Sequence, residues 1–175
     1  VNWGRMANNA ESLRQDFSAD YIGANIKREF YFGEIVGRLD YYKISDGNVI
    51  VSGGLRLNSN LRPLGAKIRP IVGVDIRKSK FNTPNYWSPA DGHGNIYAGL
   101  EGDWAVEQWA VYGGAQFGLP AYGEAGTSWS LSAGAKRWLT DDVAFSFNLW
   151  SMASVRAGVT YRSQSANMML ERFWR

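Results

Sequence analysis

Apolar residues recur at every second position over most of this chain. In AKIRPIVGVDIRKSK, residues 66–80, Ile68, Val72, Val74 and Ile76 fall on one side and Arg69, Gly73, Asp75 and Arg77 on the other. That period of two belongs to a strand with chemically different faces. The same alternation runs through DFSADYIGANIKREF, EIVGRLDYYKI, NVIVSGGLRLNS, GNIYAGLEGDWAV, EQWAVYGGAQFGL, SWSLSAGAKRWL, VAFSFNLWSM, SVRAGVTYRS and ANMMLERFW. It predicts about ten antiparallel strands met in chain order, with SDGN (45–48), NLRPLG (60–65) and LTDD (139–142) as turns. SKFNTPNYWSPADGHG (79–94) and LPAYGEAGT (119–127) are the two longer connections. Pro70 donates nothing to a ladder and predicts a bulge or irregular pairing there. Residues 1–15 carry good helix formers with a weak apolar stripe, predicting a short helix or ordered lead-in ahead of one strand domain over 16–175.

An up-and-down sheet without a covering helix must close into a barrel or split into a sandwich, because otherwise its apolar face stays in water. The residues on the second face decide which medium surrounds it. They include Arg38, Asp40, Arg56, Arg69, Asp75, Arg77, Glu101, Asp103, Gln116, Lys136, Arg156 and Arg162. Opposite charges repeated at mid-strand suit a narrow polar lumen in which acids and bases pair across strands. The prediction is therefore an all-β fold, an antiparallel up-and-down transmembrane β-barrel of about 8–10 strands or part of a larger barrel, with its apolar face toward lipid. The rival is a soluble barrel or sandwich with the same face turned inward. Tyr41, Tyr42, Trp104, Trp109, Trp129, Trp138 and Phe145 fall near strand ends, where aromatic girdles lie at a membrane interface.

Composition narrows the chemistry. There is no Cys and a single His among 175 residues, which excludes disulfide, thiol and cysteine-rich zinc sites and leaves no expected metal or cofactor. The 19 basic and 16 acidic residues are interspersed, so no basic stripe points to nucleic acid. Arg77, Lys78 and Lys80 gather at a strand end, a placement that suits lipopolysaccharide phosphates. No apolar run is long enough for a membrane-spanning helix.

The stretch NYWSPADGHGNIYAGLEGDW, the strand SLSAGAKRWL, the hairpin TDDVAFSFN and the closing YRSQSANMMLERFW resemble the C-terminal barrels of exopolysaccharide-export proteins. That group includes the cellulose-synthase outer-membrane subunit, the poly-N-acetylglucosamine porin and the bacteriophage N4 adsorption protein A. A Y-[YFW]-[SN]-P loop precedes a barrel strand in them, and Tyr86, Trp87, Ser88 and Pro89 fit it. The resemblance covers residues 80–175. It implies a non-enzymatic barrel in a bacterial outer membrane, in contact with lipid and lipopolysaccharide. It further implies polysaccharide or phage as partner and inner-membrane glycosyltransferase machinery behind it.

Tyr86, Trp87 and Tyr122 are the expected ligand contacts, since an aromatic face offers apolar area to the C–H side of a sugar ring. The Glu101 and Asp103 carboxylates could act as an acid and base pair, but salt bridges to lumen arginines explain them as well. An alternative rests on His93, Asn95 and Glu107, whose order resembles the His, Ser and Glu of the outer-membrane lipid A deacylases. An amide at 95 cannot serve as nucleophile, so catalysis by this route would fail; His93 and Glu107 are the residues on which the alternative, a lipid A hydrolase, would depend.

Overall fold

The structure is a computed structural model that describes residues 2–6, 17–60 and 68–172. All regular elements in these residues are strands: β1 (Asn2–Met6), β2 (Ala19–Phe30), β3 (Gly33–Ile44), β4 (Val49–Ser59), β5 (Ile68–Ser79), β6 (His93–Val106), β7 (Trp109–Gly123), β8 (Ala125–Trp138), β9 (Val143–Arg156) and β10 (Val159–Arg172). They form one antiparallel sheet in strict chain order. Apart from the short β1, each strand has 11 to 15 residues, which is the length a tilted strand needs to cross a bilayer. Among the described residues β1 pairs only with β2 and β10 only with β9, so the sheet has two edges.

The two faces differ in character over most of the sheet. Register rows such as Ile26, Gly37, Leu55, Val74, Ile96 and Leu119, or Leu57, Val72, Ala98, Phe117, Trp129 and Ala153, carry the apolar side chains. Leu55, Ile96 and Leu119 are 52 to 55% exposed. The buried polar residues Asp40, Asn58, His93, Asn95, Ser146 and Ser154 all fall on the opposite rows. Residues from β3 to β9 on this polar face line one cavity, so the sheet curls with its polar face inward. On β9 and β10 that concave face also carries Trp150, Met152 and Met169 among Ser146, Asn148, Ser163, Ser165 and Asn167.

Tyrosines fill the hollows that glycines leave inside. Tyr97 on β6 lies over Gly73 on β5, and Tyr112 on β7 lies over Gly134 on β8 and donates to Asn148 Oδ1. A Cβ at either glycine would run into the ring.

Several sequence expectations need correction. Where the sequence predicts a short helix or an ordered lead-in, Asn2–Met6 is a strand and so not helical, while residues 7–16 lie outside the described residues. The stretch 119–127 is no long connection, because β7 continues to Gly123 and β8 starts at Ala125. Pro120 is accommodated where the β6–β7 register shifts, between Gly94 and Asn95. No such irregularity occurs at Pro70, which pairs with Leu100 of β6 and lies beyond the last β4–β5 pair. Residues 143–172, expected to hold three strands, hold two, joined by a turn at Ala157 and Gly158 with φ of 48° and 76°. Positive φ at both central residues is the tight hairpin geometry that fits the sheet's twist.

Candidate functional site

The β5–β6 connection closes one end of the concave face. Its anchor is Asn48, fully buried in the β3–β4 turn. The Asn48 side-chain oxygen accepts from Val49 N at 2.9 Å, Lys80 N at 3.2 Å and Phe81 N at 3.3 Å, and its amide donates to Phe81 O at 3.0 Å. Asp46 accepts from Asn48 N at 2.9 Å and from the Tyr86 hydroxyl at 2.5 Å. Burial, and then this hydrogen bond, raise the Tyr86 phenol above its ordinary range. The Tyr86 ring packs with Ala19, Ile44 and Ile50, the small apolar core of this end. Pro89 is buried as well, and Thr83 N donates to Ser88 Oγ at 2.9 Å. A long loop held by a buried amide and a buried phenol occupies one position over the mouth.

That position sets Trp87 at the rim of a cavity of about 390 Å³, walled by Asp40, Arg77, His93, Asn95, Gln116 and Arg156 among others. The Arg156 guanidinium stands over the indole with Cζ 3.9 Å from the ring centroid, and that of Arg77 at 4.8 Å. His93 meets the same ring edge-on at 5.0 Å. Stacking of a guanidinium on an indole is a favourable cation–π contact. Elsewhere on the concave face several charges are paired. Arg38 Nε donates to Asp40 at 2.6 Å. Glu101 receives Arg56, and Arg69 at 3.2 Å. Lys136 pairs with Glu171.

Eleven of the twelve residues read as lumen-facing, namely Arg38, Asp40, Arg56, Arg69, Asp75, Arg77, Glu101, Asp103, Gln116, Lys136 and Arg156, lie on concave rows. Arg162 does not. It pairs with Ala153 on the convex row of Phe117 and Trp129, because the two-residue turn sets Arg156 opposite Val159 and shifts face parity by one. Of the three aromatics expected to touch ligand, only Trp87 reaches the cavity. Tyr86 is consumed by the core, and Tyr122 pairs with Gly94 on a convex row and covers Gly92.

The His93 and Glu107 pairing is absent. The two residues sit at opposite ends of β6, about 45 Å apart along an extended strand, and Glu107, with φ of 50°, forms the β6–β7 turn. Glu101 is engaged by Arg56 and Arg69. Asp142 accepts from Thr140 Oγ1 at 2.7 Å within its turn, and no group of metal-ligating side chains occurs among the described residues. The arrangement the sequence did not reveal is the stack of Arg77 and Arg156 on Trp87, since it joins β5, β9 and a loop far apart in the chain.

No family model matches this chain, and no curated protein does. Among solved structures it is similar to one described as a bacterial polysaccharide outer membrane secretin, with a TM-score of 0.67 and 14% identity over 90% of the chain. The chain spans 56% of that structure's length. At this identity the likeness shows the fold, an all-β antiparallel up-and-down sheet.

Proposed function

We propose that the chain is a non-enzymatic outer-membrane β-barrel domain of the exopolysaccharide-export type. Its convex face meets lipid, its concave face borders a glycan path, and the β5–β6 loop stands at the mouth of that path. The observation that carries this reading is the division of the sheet: half-exposed Leu, Ile, Val and Phe on convex rows, and buried hydrogen-bonding groups on concave ones. An apolar surface running across successive strands is unstable in water and suited to a bilayer. Convex Trp104, Trp109 and Phe145 near one end, and Tyr41 and Tyr122 near the other, fit interfacial girdles. Lys78 and Lys80 at the mouth end fit lipopolysaccharide phosphates, and the likeness to a bacterial polysaccharide outer membrane secretin supports a reading of this kind.

Refolding into detergent micelles, beside refolding in plain buffer, tests the proposal through heat-modifiable migration on a gel. A faster-running species formed in detergent and abolished by Val74→Arg is expected, since a cation at the bilayer midplane costs about 2–4 kcal/mol. A monomer that folds in buffer alone overturns the reading.

A further inference from the structure

The mouth cavity contains two arginines that form no ion pair among the described residues, although the Asp40 and Asp75 carboxylates line the same cavity farther off. Among the described residues neither Arg77 nor Arg156 has a carboxylate oxygen within 4.0 Å, in contrast to Arg38, Arg56 and Arg69. Arg77 donates to Trp87 O at 3.3 Å and Arg156 Nε to Ser154 Oγ at 3.1 Å, which leaves most of their ten N–H groups in total for something else. Around them lie buried polar atoms without a protein partner: Arg77 Nε, Trp87 Nε1 and His93 Nδ1, with Asn95 Oδ1 beside them. Of the five buried side-chain atoms in that state among the described residues, four belong to residues lining this one cavity. His93 and Asn95 are each only 7% exposed.

Buried polar groups in proteins are satisfied almost throughout, and a concentration of exceptions at one place asks for an explanation. Three of these four atoms can donate, and two belong to the charged stack or its indole. Two guanidiniums sharing an indole repel each other unless an anion stands between or beside them. The planar, forked donor set of arginine matches a carboxylate or phosphate in two parallel bonds. Trp87 therefore has a different task from stacking on a sugar. With Arg156 lying 3.9 Å from its ring centroid, it holds the arginines in place and offers its N–H.

We propose that the Arg77, Arg156, Trp87 and His93 cavity is an oxyanion site, and that its ligand is the carboxylate of an acidic glycan reaching the mouth. This deepens the proposed function and rests on its placement of a glycan path along the concave face. Oxyanion binding by itself does not depend on that placement.

The test is calorimetric titration of the full chain in zwitterionic detergent micelles, with folding scored separately by gel migration. Trigalacturonate is expected to bind one to one and to weaken with added salt, while neutral maltotriose gives no heat. Arg77→Gln and Arg156→Gln should each reduce trigalacturonate affinity by about tenfold or more, whereas Arg69→Gln, in the other cluster, leaves it unchanged. Arg77→Lys keeps the charge and loses the fork, and should recover only part of the affinity. Binding of inorganic phosphate but not trigalacturonate, abolished by the same variants, overturns the acidic-glycan source and assigns the oxyanion to a phosphate. Absence of binding by both probes, or equal binding by the Gln variants, overturns the site. A chain that folds in buffer yet binds trigalacturonate would reject the membrane reading and keep the oxyanion.

Discussion

Two arginine clusters on the concave face use the same side chain toward different ends. In the wall Arg56 and Arg69 converge on Glu101, whose carboxylate ties both guanidiniums to the scaffold. At the mouth Arg77 and Arg156 converge on an indole, which holds them without cancelling their charge. A carboxylate neighbour makes an arginine part of the scaffold, because the desolvation it suffers is offset locally. An aromatic neighbour positions an arginine and leaves its hydrogen-bonding edge available. The partner, more than the arginine, tells a structural cation from a binding one.

The largest break in this comparison should come from the anchor of the mouth. Asn48→Ala removes the acceptor of three backbone N–H groups and the donor to Phe81 O, and should cost about 3 kcal/mol. Limited proteolysis in micelles should then cut the 80–92 loop while the mid-sheet stays protected. Glu101→Gln acts on the other region. It leaves Arg56 and Arg69 facing a neutral amide, and about 2 kcal/mol should be lost, read as a lower urea midpoint with the loop still resistant. Arg77→Gln, by contrast, should leave that midpoint nearly unmoved, and an equal loss from both variants would erase the distinction. A smaller loss than that of Glu101→Gln belongs to Tyr86→Phe, which keeps the ring in its core and loses the bond to Asp46, for about 1 kcal/mol in the same denaturation.

How far these regions can be read from sequence follows from the range of the interactions. The strands from Ala19 to Ser79 are legible because alternation is a local signal, and the concave placement of Arg56, Arg69 and Glu101 follows directly from their parity. Parity fails where a tight turn is hidden. Ala157 lacks the turn chemistry of Asn or Asp, so VRAGVTYRS reads as one strand and Arg162 is assigned to the wrong face. Pro120 and Gly123 err the other way, marking a loop where β7 continues. The fate of Tyr86 and the stack on Trp87 were not legible at all, since both depend on a loop folding back onto β3, β4 and β9. A Tyr-Trp-Ser-Pro run states that a loop is special without saying which ring is buried and which is presented.

The tyrosines lying over glycines bear on fidelity of assembly. Alternating faces forbid a pairing error of one residue, since such a slip turns every side chain around. They do nothing against an error of two, which keeps apolar with apolar and polar with polar. Displaced by two, Tyr97 would meet Ile71 or Asp75 instead of Gly73, and Tyr112 would meet Ser132 or Lys136 instead of Gly134. None of those positions has an empty hollow for a ring. Each Tyr-over-Gly pair thus works as a key in one lock, and the sheet rejects the mistakes that its hydrophobic pattern alone would pass.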